Sequence, residues 1–133
     1  MTVRRGGLTD ESALTSLQRL VSHPSPELLD AWPSVGTVLV SVDDADHPVG
    51  YVLGVGAHVV ELAVVPDARR EGRATALIEA YHDLHPAASL TLLVHPENEV
   101  ARACYETLGF QYDERIAGEF DGDDAIRLVR DAD

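Results

Sequence analysis

Near residue 65 the apolar period of this chain changes, and that change decides which folds are open to it. Upstream, Val38–Val42, Val49–Val55 and His58–Val65 are short runs rich in β-branched residues, the first two separated by the Asp- and Pro-containing turn Asp43–Pro48. They read as three strands of an antiparallel meander. Downstream, Gly72–Leu84 carries Ala74, Leu77, Ile78 and Tyr81 at the spacing of one helical face. Leu90–Val94 is a continuous apolar run, as expected of a strand buried on both faces. Asn98–Leu108 then reads as a helix stopped by Gly109.

The remaining elements fall around this frame. Val3–Arg5, Phe110–Arg115 and Ala125–Val129 read as strands. Thr9 or Asp10 is placed to cap a helix with apolar positions Leu14, Leu17, Leu20 and Val21, and Ser25-Pro26 to open a short helix through Trp32. The order βααβββαβαββ predicts an α/β fold with a mixed, mostly antiparallel sheet, in one domain over residues 1–133.

Charge narrows the partners. The chain has 23 acidic and 10 basic residues, a formal net charge of -13, and every basic residue is an arginine. Phosphate polymers and anionic membranes are repelled by such a surface, so nucleic acid and membrane are not expected partners. Cationic ligands such as amines are favoured. The single cysteine, Cys104, excludes an internal disulfide, and the chain shows no signal-type or membrane-spanning apolar run; the expected location is the cytoplasm. An acidic, lysine-free surface is also the halophilic pattern.

The stretch Leu62-Ala-Val-Val-Pro-Asp-Ala-Arg-Arg-Glu-Gly-Arg-Ala-Thr75 carries the chemistry. A strand enters a turn and the turn opens a helix, whose unpaired N–H groups and partial positive charge suit a pyrophosphate. Gly72 permits close approach of a ligand, Ala74 adds little bulk, and Arg69, Arg70 and Arg73 bring positive charge. No Gly-Lys-Ser/Thr follows, and no Gly-x-Gly precedes, so neither a Walker loop nor a dinucleotide fingerprint is present.

This Arg-x-x-Gly-x-Ala turn resembles the acetyl-CoA signature of the GNAT acetyltransferase superfamily. So does Asn98-Glu-Val-Ala-Arg-Ala-Cys-Tyr-Glu-Thr-Leu-Gly-Phe110, which is similar to the family's Asn-x-x-Ala-x-x-x-Tyr-x-x-x-Gly-Phe segment. Asn98 and Tyr105 lie on nearly one helical stripe, about 10 Å apart. Ala57-His-Val-Val-Glu-Leu-Ala-Val-Val-Pro66 looks like the protein N-terminal and ribosomal-protein alanine acetyltransferases. The resemblance implies about seven strands flanked by about four helices, with a splay between strands 4 and 5. It implies acetyl-CoA as co-substrate and no metal. The cofactor would be held by Leu62, Ala63 and Val64, by Arg69, Arg70, Glu71, Gly72, Arg73, Ala74 and Thr75, and by Asn98 and Tyr105. Two positions depart from that subfamily: Glu119-Phe120 stands where it has a tyrosine pair, and Leu93 where several members have a Glu or His.

For the chemistry, a backbone N–H at Val64 or Val65 would polarise the thioester carbonyl, and Tyr105 would protonate the leaving thiolate. His58 is the first candidate for the base that takes the ammonium proton, and Glu61 the second. Strand alternation puts those two on opposite faces. Cys104 is expected to pack as a small hydrophobe, and His82 and His85 to be surface residues. The reading is an N-acetyltransferase working by direct attack of a primary amine on acetyl-CoA, with a peptide N-terminal α-amine as acceptor, drawn in by Asp121, Asp123 and Asp124, and as a monomer or homodimer. Alternatives are a small-amine acetyltransferase (polyamine, amino sugar or amino acid) and a non-catalytic CoA-binding regulatory module. The charge generates a prediction of its own. Self-repulsion at -13 weakens as salt screens it, so the melting temperature should rise with added KCl; a flat response in thermal denaturation would remove the halophilic reading.

Overall fold

The computed structural model describes every residue except Met1, Ser22, His23, Pro33, Arg70, Asp121 and Asp133, and every side chain of the described residues except that of Phe120. Seven strands form one mixed sheet: β1 (Thr2–Arg5), β2 (Thr37–Val42), β3 (Pro48–Val55), β4 (His58–Val64), β5 (Leu90–Val94), β6 (Gln111–Phe120) and β7 (Asp123–Arg130). Their spatial order is β1-β2-β3-β4-β5-β7-β6. The helices are α1 (Glu11–Gln18), α2 (Pro26–Ala31), α3 (Arg73–Asp83) and α4 (Glu99–Thr107).

Period-2 alternation in the central strands divides the core. Val38, Val40, Tyr51 and Leu53 face Leu14, Leu17, Leu29 and Trp32 of the α1–α2 side. Leu39 and Val52 face Leu77, Ile78 and Tyr81 of α3 on the other. β5 follows the same rule, which corrects the expectation of a strand buried on both faces. Leu90, Leu92 and Val94 are buried in the α3 core, whereas Thr91 and Leu93 are half-buried. On its second face Leu93 borders a cavity and Thr91 meets His58.

Two further expectations change. Asp10 stands at the N-cap of α1, yet its carboxylate does not cap the helix. Instead it accepts two hydrogen bonds from Arg4, at 2.8 and 3.1 Å, and one from the Gly7 N–H at 2.7 Å, tying the end of β1 to a 3-10 turn over Leu8–Asp10. β6 runs five residues beyond the expected Arg115. It is the edge strand, exposed along most of its length, so charged residues replace the apolar pattern there. Cross-strand pairs Arg127–Asp113 and Arg115–Asp124 hold it to β7, at 2.8 and 2.6 Å.

All neighbouring strands are antiparallel except β4 and β5, which pair in parallel at one register, His58↔Thr91. Near that point the Thr91 N–H donates to the Ala57 carbonyl at 3.0 Å. Beyond it the strands diverge. The closed end is fixed by the β3–β4 turn, where Gly56 adopts φ +57 and its carbonyl accepts from the Tyr81 hydroxyl at 2.6 Å. Tyr81 lies so close to β3 that a Cβ on Gly54 would collide with its hydroxyl and ring. Gly54→Ala should therefore cost about 1–3 kcal/mol, as overpacked sites do, read as a lower urea midpoint, and Gly54→Ala combined with Tyr81→Leu should recover part of it.

Candidate active site

The divergence of β4 from β5 opens the sheet, and two cavities of about 290 and 510 Å³ lie along the opening. Leu20, Leu62, Asn98, Ala101 and Tyr105 border both, so the two meet at one wall.

The larger cavity takes in most of the residues expected to hold the cofactor. β4 supplies Leu62, Ala63 and Val64; the turn and the first helical residues of α3 supply Arg69, Gly72, Arg73, Ala74 and Thr75; Asn98 and Tyr105 come from α4 and its cap. Glu71 stands apart from the cavity lining and pairs with Arg73 at 3.2 Å, while Arg70 lies outside the described residues. Gly72 is left-handed at φ +80 and caps α3, so its conformation favours glycine as much as the cavity does. Behind it the N–H groups of Arg73, Ala74 and Thr75 have no carbonyl four residues back in the helix.

The arginines do more than add charge. Arg69 Nε donates to the Val64 carbonyl at 2.8 Å, stitching the turn back to β4. Arg73 donates to Ser41 Oγ and the Val42 carbonyl, at 2.9 and 3.1 Å, anchoring α3 to β2.

Backbone directions on β4 separate the two carbonyl-polarising candidates. The Val65 N–H donates to the Val49 carbonyl at 2.8 Å and is therefore occupied. Antiparallel ladders alternate, so the N–H of Val64 points away from β3 into the gap, as the contact of its carbonyl with Arg69 also indicates.

The smaller cavity gathers His58, Glu61 and Leu93 with Leu20, Val21 and Ser25. The expected separation of His58 and Glu61 onto opposite faces is overturned. Leu53 pairs Glu61 but Gly54 pairs Val59, so Val60 is an extra residue, a β-bulge that resets the alternation. Both side chains now border one cavity. His58 Nδ1 is 2.8 Å from Thr91 Oγ1, and burial lowers the imidazole pKa, with Glu119 opposing. Glu61 is 1% exposed and bound by Tyr51, Gln18 and the Ser25 amide. Tyr105 packs edge-on against Phe110 at 5.9 Å, and burial, aided by Cys104 and Glu61, pushes its phenol up to about 12. Its hydroxyl has no hydrogen-bond partner among the described residues. Asn98 Oδ1 caps α4 by accepting the Ala101 N–H at 3.2 Å, leaving its amide NH₂ for the cavity wall.

The acidic mouth is only partly defined. Asp123 faces His95 at 3.3 Å and Asp124 pairs with Arg115; Asp121 and the Phe120 side chain lie outside what is described. Among the described residues no group of three His, Cys, Asp or Glu stands placed to hold a metal. His82, expected at the surface, is 5% exposed: its Nε2 meets the Ala88 carbonyl at 2.8 Å and its Nδ1 meets Arg130 at 2.6 Å. Sequence reasoning missed the α1–α2 wall and Gln18. Gln18 sits four residues after Leu14 on the apolar stripe of α1, and a polar residue on that stripe was the available signal.

The chain belongs to the acetyltransferase (GNAT) family, whose model matches residues 9–110. The peptidyl-lysine N-acetyltransferase YjaB of Salmonella typhimurium is 35% identical over 108 residues, 81% of this chain and 65% of that relative, so the chain spans less than two thirds of its length. Among solved structures, NAA60 of Arabidopsis thaliana in complex with a bisubstrate analogue superposes with a TM-score of 0.81 at 18% identity, over 99% of this chain and 98% of that one. The ribosomal-protein-S18-alanine N-acetyltransferase of Escherichia coli superposes at 0.76 and 23% identity, over 98% and 92%.

Cys104 is exposed and borders the larger cavity, against the expectation of a packed hydrophobe. Burial of part of its environment raises the thiol pKa, with Arg69 opposing. Iodoacetamide should therefore label Cys104 in the folded protein, at a rate that keeps rising past about pH 9; absence of labelling before unfolding, read by intact mass, would contradict this placement.

Proposed function

We propose that this protein is an acetyl-CoA-dependent N-acetyltransferase in which a primary amine attacks the thioester directly, the acceptor of first choice being a peptide N-terminal α-amine. One observation carries the reading: the larger cavity, against the α3 N-terminus, and the smaller one, with a titratable lining, meet at the wall that holds Tyr105. The pyrophosphate would rest on the amides of Arg73 to Thr75, with Arg69 and Arg73 nearby. The acetyl group would then lie in the larger cavity beside the shared wall, where the Val64 N–H would meet its carbonyl oxygen.

The proton transfers follow from burial. A lowered imidazole pKa keeps His58 neutral near pH 7, able to accept a proton from the ammonium directly or through water. A raised phenol pKa keeps Tyr105 protonated, able to donate. The ammonium gives one proton to His58, the neutral amine nitrogen forms the C–N bond, the C–S bond breaks, the thiolate takes its proton from Tyr105, and the second nitrogen proton, passed on through water, restores the phenol.

A lysine side chain is the second reading, favoured by the name of the YjaB relative, a peptidyl-lysine N-acetyltransferase. Both readings share the same machinery, and a panel of N-terminal peptides, N-blocked lysine peptides and polyamines separates them. A CoA-binding module without turnover would release no free CoA thiol with any of these.

Two variants test the chemistry in one kinetic experiment. Tyr105→Phe should lower kcat roughly 10- to 10⁴-fold with acetyl-CoA affinity little changed. A base with a lowered pKa works above that pKa, so the wild-type rate should fall as pH drops below about 6.5, and His58→Ala should remove or move this limb. An unchanged profile would take the base role away from His58.

A further inference from the structure

Glu61 is a buried carboxylate on the wall of the acceptor cavity, the obvious place to look for a base, yet its oxygens are engaged. Oε1 accepts from the Tyr51 hydroxyl at 2.7 Å and from Gln18 Nε2 at 3.0 Å. Oε2 accepts from the Ser25 N–H at 2.5 Å and from Gln18 Nε2 at 3.1 Å. A carboxylate offers about four lone-pair directions, so these four contacts leave none for a substrate ammonium or a bridging water.

The donors come from three separate segments. Tyr51 is on β3, Gln18 is the last residue of α1, and Ser25 is the N-cap of α2. Between Gln18 and Ser25 runs the connection that carries Leu20 and Val21, which together with Ser25 form one side of the acceptor cavity. Among the described residues, the backbone of that connection is bonded only to the end of α1: Arg19, Leu20 and Val21 donate to Ser16, Leu17 and Gln18. Among the described residues, Val21 packs against the α1–α2 core, while the hydrogen bonds that tie the two ends of the segment to the sheet are those to Glu61. The bulge at Val60 is what turns Glu61 toward it.

We propose that Glu61 is a positioning residue: it latches the α1–α2 connection to the sheet, and so fixes the wall of the acceptor cavity, without taking part in proton transfer. Acceptor selectivity then resides in Leu20, Val21 and Ser25, held at the distance from the thioester that the latch sets. The kinetic part of this inference rests on the acetyl-transfer reading; the structural part does not.

Glu61→Gln keeps the shape but replaces one acceptor oxygen by an NH₂ that faces donors. Backbone hydrogen exchange should accelerate at Ser25 and across residues 19–28, in a protein whose thermal transition remains cooperative. In steady state the KM for the amine should rise roughly tenfold or more, the factor that corresponds to losing one hydrogen bond to a charged group, while kcat changes little and the acidic limb of the pH profile stays in place. Gln18→Met removes a different donor, leaves the carboxylate, and should give the same pattern; it keeps the test available if Glu61→Gln does not fold. Unchanged exchange in a folded variant overturns the latch. A loss of kcat and of the acidic limb, with KM and exchange unchanged, overturns it in favour of Glu61 as the base. If the wild-type protein acetylates no amine, the acetyl-transfer reading fails, and the exchange measurement still decides the latch.

Discussion

The site exists because β4 and β5 touch at a single register and then part. A break in a sheet leaves backbone groups without ladder partners, and buried polar groups without partners are costly. The chain meets that cost locally. Arg69 returns from the turn to take the Val64 carbonyl, so the same turn that opens α3 also closes the exposed side of β4. The Val64 N–H remains directed into the gap, where a bound carbonyl can serve as its partner. The cleft is thus a defect in the sheet that the fold completes on one side and leaves for a ligand on the other.

One physical cause acts on both of the proposed proton carriers. Desolvation disfavours whichever form is charged, so it lowers the imidazole pKa of His58 and raises that of the Tyr105 phenol. At neutral pH both rest uncharged, one ready to accept and one ready to donate. Opposite shifts from a single environment suit a reaction in which a proton leaves the amine on one side of the thioester and another arrives at sulfur on the other. The surplus of acidic residues over the whole chain acts at longer range and is screened by salt, whereas these two shifts arise inside the cavities, where salt reaches poorly.

How much of this was legible depends on whether a feature is local. The turn from Leu62 to Thr75 and the helix from Asn98 are contiguous, and most of the cofactor residues expected from them fall on one cavity, Glu71 excepted among the described residues. The element order was readable for the same reason, and the splay between the fourth and fifth strands followed from the family resemblance those two segments carry. The bulge at Val60 was not legible. It depends on how Leu53 and Gly54 meet β4 across the sheet, and nothing within His58–Val64 marks it. Alternation failed there, and with it the assignment of His58 and Glu61 to opposite faces. His82 was misread because its partners, Ala88 and Arg130, are brought together by the packing of α3 against β7.

That last cluster shows how far the site's geometry reaches. Arg130 Nε donates to the Leu108 carbonyl at 3.0 Å, just past the end of α4, and its Nη1 meets His82 near the end of α3. Arg130 packs so closely on Gly109 that a Cβ there would stand 3.1 Å from its Nε, and Gly109 itself has φ +97. A guanidinium can only donate, so Nδ1 of His82 accepts from Arg130 and its Nε2–H donates to the Ala88 carbonyl; one arginine fixes the tautomer as well as the helix ends. Tyr105 sits one turn before this clamp, and its own carbonyl accepts the N–H groups of Leu108 and Phe110. The position of its hydroxyl on the shared wall is therefore determined from both ends of α4: by Asn98 capping its start, and by Arg130 holding its exit to β7.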